Sequence, residues 1–177
     1  MKIALVSYSL SGNNARYADH LARALSAVLL PVHTLKPVTY GTIMLDMILR
    51  RKPEIDLKSD EFTLYDLVLF VGPVWLGKVA FPLRRCFDML KKNRRTYAFL
   101  SVSGGADGNN PNLADELKQR TGAAPAFVLD QHIRELLPPE PAPTREQTSA
   151  YQVTDADCAL FAGRAAEAVR QHVPNAI

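Results

Sequence analysis

The chain has 177 residues, 47% of them apolar, and 21 basic against 18 acidic side chains for a net charge of +3. That size suits one domain, residues 1–177, with a single sizeable core, and so modest a charge gives little drive toward nucleic acid. Apolar runs such as Leu67–Val71 fall far short of the roughly 20 residues that cross a bilayer, and the four apolar residues after Lys2 are too few for a secretory signal, so no membrane span and a cytoplasmic location are expected.

Ile3-Ala4-Leu5-Val6 is apolar without alternation and ends in polar residues and Gly12, which predicts a strand buried on both faces. From Asn14 onward Ala18, Leu21, Ala22, Leu25 and Val28 recur at spacings of three and four, the stripe of a helix packed on a sheet. Val32–Leu35 reads as a second strand. Ile43, Met44, Met47 and Ile48 form a short helical stripe closed by Arg50-Arg51-Lys52 and Pro53. Tyr65–Val71 reads as the third strand, and Pro82 opens a helix carrying Leu83, Cys86, Phe87 and Leu90. Tyr97–Val102 gives strand four, Leu113–Arg120 a helix ended by Gly122, and Ala126–Leu129 strand five. After a Pro-rich loop, Thr154 caps a final helix whose inward stripe includes Leu160, Ala166 and Val169. Alternating strands and helices imply an α/β doubly wound domain, a parallel sheet with helices on both faces.

Ligands of such sheets bind beyond the carboxyl ends of the strands. Three loops lie there. The first, Ser7-Tyr8-Ser9-Leu10-Ser11-Gly12-Asn13-Asn14, offers hydroxyls, one Gly and successive backbone amides before a helix N-terminus, which suits a phosphate; its plainer reading is a Ser-rich helix cap. It lacks the Gly-Lys-Ser/Thr of a nucleoside-triphosphate loop, and no G-x-G-x-x-G follows the first strand. The second, Gly72-Pro73-Val74-Trp75-Leu76-Gly77, sets the single Trp of the chain between glycines, to stack on a flat ring or to fill core. The third, Ser103-Gly104-Gly105-Ala106-Asp107-Gly108-Asn109, can grip a ring edge through its backbone or serve as a surface turn.

Ser9-Leu10-Ser11-Gly12-Asn13-Asn14 resembles the flavodoxin phosphate loop [ST]-x-[ST]-G-N-[ST], departing only at Asn14, where an amide replaces a hydroxyl. Tyr65-Asp66-Leu67-Val68-Leu69-Phe70-Val71-Gly72-Pro73-Val74-Trp75-Leu76-Gly77, with Pro82 beyond, is similar to the "YDLIIIGTPVWxG…P" stretch of flavodoxin-family proteins, and Ser101-Val102-Ser103-Gly104-Gly105 resembles their third flavin loop. The resemblance spans residue 2 to about residue 130. It implies a flavodoxin-like three-layer fold with five parallel strands in the order 2-1-3-4-5, and FMN as cofactor. Ser9, Leu10, Ser11, Gly12, Asn13 and Asn14 would hold its phosphate, with Asn14 offering a side-chain donor. Pro73, Val74, Trp75, Leu76 and Gly77 would flank the isoalloxazine, and Ser103, Gly104 and Gly105 would meet its pyrimidine side. A backbone carbonyl near Leu76-Gly77 would face the flavin N5. The flavin carries the chemistry, so no catalytic side chain and no metal ligand is expected.

Three functions compete: a reductase passing electrons from NAD(P)H through FMN to a quinone or other small-molecule acceptor; a one-electron carrier between redox protein partners; and a binding or regulatory module without flavin. Carriers of this family are typically acidic, so 21 basic against 18 acidic residues leans toward the reductase. Cys86 and Cys158 read as buried or idle thiols, and His20, His33, His132 and His172 receive no role. The basic runs 50–52 and 91–95 read as solvated helix ends. Arg16, Arg134 and Arg145 read as solvated, the last two with a nucleotide phosphate as the alternative. The 131–152 loop is open between covering the flavin, contacting a partner and neither.

Overall fold

The computed structural model describes residues 1–36, 38, 39, 41, 43, 49, 52–58 and 61–174. Met44, Met47 and Ile48 of the expected second helix lie outside them. Five parallel strands form the sheet: β1 (Ile3–Ser7), β2 (Val28–Pro31), β3 (Leu67–Val71), β6 (Thr96–Ser103) and β7 (Val128–His132), ordered β2-β1-β3-β6-β7. A two-stranded hairpin, β4 (Val74–Trp75) and β5 (Lys78–Val79), stands apart, so this order is the expected 2-1-3-4-5 under different numbers. Among the described residues are five α-helices, α1 (Asn13–Leu25), α2 (Arg84–Asn93), α3 (Leu113–Thr121), α4 (Arg145–Ala150) and α5 (Asp155–His172), and three short 3-10 turns at Glu61–Leu64, Phe81–Leu83 and Ile133–Leu136.

Unbroken apolar strands follow from burial on two sides. Ile3, Leu5, Leu67, Leu69, Ala98 and Leu100 face one core with Tyr17, Leu21, Phe161 and Ala165 of α1 and α5. The alternate residues Val6, Val68, Phe70, Tyr97 and Phe99 face a second core with Phe87, Leu90, Leu113 and Leu117 of α2 and α3. Phe70 centres the second core, with the rings of Phe62, Phe87 and Tyr97 edge-on at 6.1, 5.0 and 6.2 Å. Cys86 and Cys158 are free and buried on α2 and α5, and burial pushes their thiols up to about 12 and about 11.

Three expectations need correction. The second strand is Val28–Pro31, not Val32–Leu35: α1 ends in a left-handed Ser26, and the chain enters the sheet almost at once. Val28 therefore starts an edge strand and is 48% exposed rather than continuing the helix stripe. Pro31 is tolerated because β2 is an edge. Strand five is Val128–His132, displaced toward polar residues that find partners from other elements: Gln131 Nε2 donates to Tyr17 Oη at 3.0 Å, and His132 pairs with Asp130. Leu160 points outward, and the inward stripe of α5 is Cys158, Phe161, Ala162, Ala165, Ala166 and Val169.

Thr154 does cap α5, in a capping box where its hydroxyl accepts from Asp157 N and the Asp157 carboxylate accepts from Thr154 N. Thr154→Ala is expected to lower the unfolding free energy by about 1 kcal/mol in urea titration, leaving the α1–α5 core intact.

Candidate functional site

The chain runs from β1 out to edge strand β2 and returns to β3 on the other side of β1, so the strand order reverses between β1 and β3. The loops leaving β1 and β3, with the loop leaving β6 beside them, meet at that point. Two adjoining clefts lie among them. One of about 200 Å³ is lined by Leu10, Ser11, Asn13, Asn14, Trp75 and Thr148 among others; one of about 460 Å³ is lined by Leu76, Gly77, Gly105, Asp107, Asn110 and Arg145 among others. Val74, Ser103, Gly104, Thr148 and Ser149 belong to both. The larger alone is within the roughly 300–1,000 Å³ typical of cofactor sites.

The first loop is not a plain helix cap. Gly12 is the residue before α1, at φ +95°, and no side chain caps the helix or places an acid in its first turn. Ser9 Oγ instead accepts from Gly12 N at 3.1 Å, which closes the loop on itself. Asn13 and Asn14, both buried, turn their side chains inward. Asn14 Nδ2 donates to Val102 O at 3.0 Å and its Oδ1 accepts from Val102 N at 2.9 Å, clamping α1 to β6. Asn13 Nδ2 donates to Tyr151 O at 2.8 Å while its Oδ1 accepts from Val153 N at 3.0 Å. Each amide thus spends its Oδ1 and one Nδ2 hydrogen on a clamp, so beside the backbone N–H groups of residues 13 and 14 only the second Nδ2 hydrogen of each is left to a ligand. Arg16 is also engaged, its Nη1 donating to Val153 O at 2.6 Å.

The second loop is the β4–β5 hairpin, a local pairing hidden from sequence reading by its two-residue strands. Leu76 and Gly77 form its turn at φ +50° and +72°, and Leu76 is 70% exposed at the cleft. Trp75 divides its ring between the two expected uses. It meets Tyr8 edge-on at 6.1 Å and Phe81 at 5.6 Å, yet it also lines the smaller cleft beside Pro73 and Val74. Val79 N donates to Glu116 Oε2 at 2.9 Å, and Arg120 Nη2 holds the other Glu116 oxygen at 2.6 Å, which ties the hairpin to α3.

The third loop rests on a buried polar cluster. Asp130 accepts from Ser101 Oγ, from Asn110 Nδ2 at 2.6 Å and from His132 Nε2 at 3.1 Å. Burial would raise the Asp130 carboxyl, but these bonds hold it below the usual range. His132 is raised above its ordinary value by the bond to Asp130, which outweighs burial. Gly105, at φ +73°, lies on this imidazole, and a Cβ there would come within 2.5 Å of His132 Cβ and Cγ. Ser103, also buried, stands beside this cluster and adds to the lowering of the Asp130 carboxyl.

A fourth wall comes from the 131–152 stretch, which the sequence left open between covering the flavin, contacting a partner and neither; its helix was not expected. Helix α4, within the Pro-rich stretch, lays Thr148 and Ser149 along both clefts, with Thr148 Oγ1 2.9 Å from where a Gly104 Cβ would be. It is tied at one end by the Asn13 clamp and at the other by Arg145 Nε to Asp107 Oδ1 at 2.8 Å. Thr144 starts it with a capping box, so a T-x-x-Q signal was present. Arg134 also serves this end, donating from its backbone N to Gly104 O at 3.1 Å and from Nη1 to Gly105 O at 3.3 Å. A further hollow of about 690 Å³ at the opposite, amino end of the strands, where β6 begins, is lined by Lys91, Arg94 and Arg95 among others. It gathers cations at the C-terminus of α2, where they complement the helix dipole.

No protein-family model and no curated protein matches the chain. Solved structures do. A flavoprotein from Lactobacillus acidophilus NCFM, in complex with FMN, is 27% identical with TM-score 0.62 over 73% of this chain and 93% of that one. The apo-form of the flavoprotein from that organism is 23% identical with TM-score 0.59 over 76% and 94%. A flavodoxin from the domain Archaea is 16% identical with TM-score 0.51 over 96% and 99%.

Asn14→Ala is expected to lower stability by about 2–4 kcal/mol in urea titration, because it orphans the buried N–H and C=O of Val102. The His132–Asp130 pair predicts a pH dependence. A raised His132 pKa contributes stability that is complete below its ordinary value of 6.5 and is lost as pH rises through the raised value. Urea midpoints of the native chain should therefore fall across that window, and those of His132→Gln should not.

Proposed function

We propose that this flavodoxin-like protein binds FMN across the three loops and α4, and that it passes electrons from NAD(P)H to a quinone or another small acceptor. The observation that carries the FMN reading is the open, fixed N-terminus of α1. Its first-turn amides have no side-chain cap, Gly12 keeps the approach clear, and Asn13 and Asn14 hold the helix still without occupying that space. Such a terminus accepts a phosphate through backbone N–H groups and the helix dipole. The neighbouring flavoprotein in complex with FMN, 27% identical to this chain, supports the same reading.

The residues fit the group elsewhere as well. Pro73 to Gly77 supply one wall and Ser103 to Gly105 the facing edge. Bound flavin would supply one- and two-electron transfer, which no side chain of the chain can. Leu76, exposed at the cleft in a left-handed turn, holds apolar surface at the mouth where an acceptor ring would approach. The net charge of +3 departs from the overall acidity that steers an electron carrier to a basic partner, which favours the small-molecule route.

Purified protein incubated with FMN and desalted is expected to stay yellow and to be bleached by NADH or NADPH without oxygen. Retained colour without bleaching favours a carrier, and no retained colour overturns the FMN reading. Ser11→Asp sets a carboxylate against the phosphate. It is expected to cost about 1.5–3 kcal/mol of FMN affinity, roughly ten- to a hundred-fold, with little change for phosphate-free riboflavin; calorimetric titration of both ligands checks it.

A further inference from the structure

Beneath the third loop a buried, titratable pair is separated from the cleft by one thickness of backbone. His132 is 5% exposed, and Gly105, which lines the larger cleft, lies directly on its ring. The orientation of that ring is determined by chemistry. An ionised carboxylate can only accept, so Nε2 carries its proton toward Asp130 Oδ2. The nitrogen left to gain or lose a proton is Nδ1, which lies 3.0 Å from the place a Gly105 Cβ would take, on the side of the loop.

The surroundings isolate this nitrogen as the variable charge. On its own strand stands Asp130, held ionised by Ser101, Asn110 and His132. From the turn that follows come Arg134, bound to Gly105 O, and Glu135, paired with Arg164 at 2.8 Å. Strand β6 sets Ser103 opposite it, and the loop sets Gly105 and Asn110 around it, none of which titrates. With His132 protonated the pair is neutral; with His132 neutral it leaves one negative charge under the loop. A buried charge at that depth is within the roughly 10 Å over which even exposed charges are felt.

We infer that His132 tunes the flavin: its Nδ1 takes up a proton from solvent as electrons enter the bound flavin and returns it on oxidation, so that the potential of the flavin depends on pH through this side chain. The electrons come from an external reductant, dithionite in the test below, and the balancing proton comes from water. His132 is a positioning and charge-compensating residue that does not touch the reacting atoms. The inference rests on the FMN reading of the cleft and goes beyond it by assigning a site to redox-linked proton uptake. Because equilibrium coupling is reciprocal, the imidazole must be more basic when the flavin is reduced, and the flavin easier to reduce when the imidazole is protonated.

Both halves are measurable on the FMN-loaded protein. NMR titration of the His132 ring in the oxidised and the dithionite-reduced states should place its midpoint at higher pH after reduction, with His20, His33 and His172 as internal comparison. Midpoint potentials of the native protein should fall more steeply with pH than those of His132→Gln across the window where His132 titrates. Equal His132 midpoints in the two redox states, or superimposable potential curves for the two proteins, overturn the inference. The NMR comparison needs no variant, so a His132→Gln chain that fails to fold does not shield it. A protein that retains no FMN overturns the FMN reading itself, a separate outcome seen before either titration begins.

Discussion

Two side-chain amides decide how this site is built. A helix N-terminus that is to meet a ligand must keep its first amides open, yet an uncapped helix end frays, because up to four N–H groups lack partners. Asn13 and Asn14 fix the end of α1 from the side. One grips the backbone of β6 at Val102, and the other grips the entry to α5 at Val153 and the exit of α4 at Tyr151. Each amide satisfies one donor and one acceptor of buried backbone, so each tie replaces a water-bonded pair at little desolvation cost. Strand, helix and strap thereby converge on a spot that no side chain fills.

The same economy runs through the other walls. The β4–β5 hairpin is too short to hold itself, and Glu116 anchors it to α3. The third loop is held from below by Arg134 and by the Asp130 cluster, and α4 is pinned at both ends. The cleft is thus framed by side-chain bonds that spend the polar groups around it, Arg145 with Asp107 and Asn110 with Asp130 among them. Backbone and hydroxyl groups are left to face a ligand. That division explains a cleft with almost no charged lining except Asp107 and Arg145, which neutralise each other.

Much of this was legible in sequence where burial leaves a period. Strands β1 and β3 announce themselves as apolar runs without alternation, and β6 as a mostly apolar one interrupted at Ser101, since both faces of a central strand are covered. The edges did not. Strand β2 contains Pro31 and an exposed Val28, and β7 ends in Asp130-Gln131-His132, whose burial depends on partners from α1, β6 and the third loop. Polar residues are hidden from pattern reading because their satisfaction is tertiary: nothing near His132 in sequence says that Gly105 will lie on it. Residues Ser9 to Asn14 were marked as one loop, but sequence could not tell that the two asparagines turn away from it.

The departure of Asn14 from the hydroxyl of the flavodoxin loop pattern therefore reads differently in three dimensions. A hydroxyl offers one donor, and its short reach would satisfy at most one of the two buried Val102 groups directly. An amide bonds both at once, at 2.9 and 3.0 Å. What Asn14 spends on this clamp returns as rigidity in the backbone amides at the start of α1. A preorganised set of backbone donors loses less entropy on binding than flexible side chains do. On the FMN reading proposed above, the phosphate would be met by the end of α1, and Asn13 and Asn14 would act by keeping that end in place.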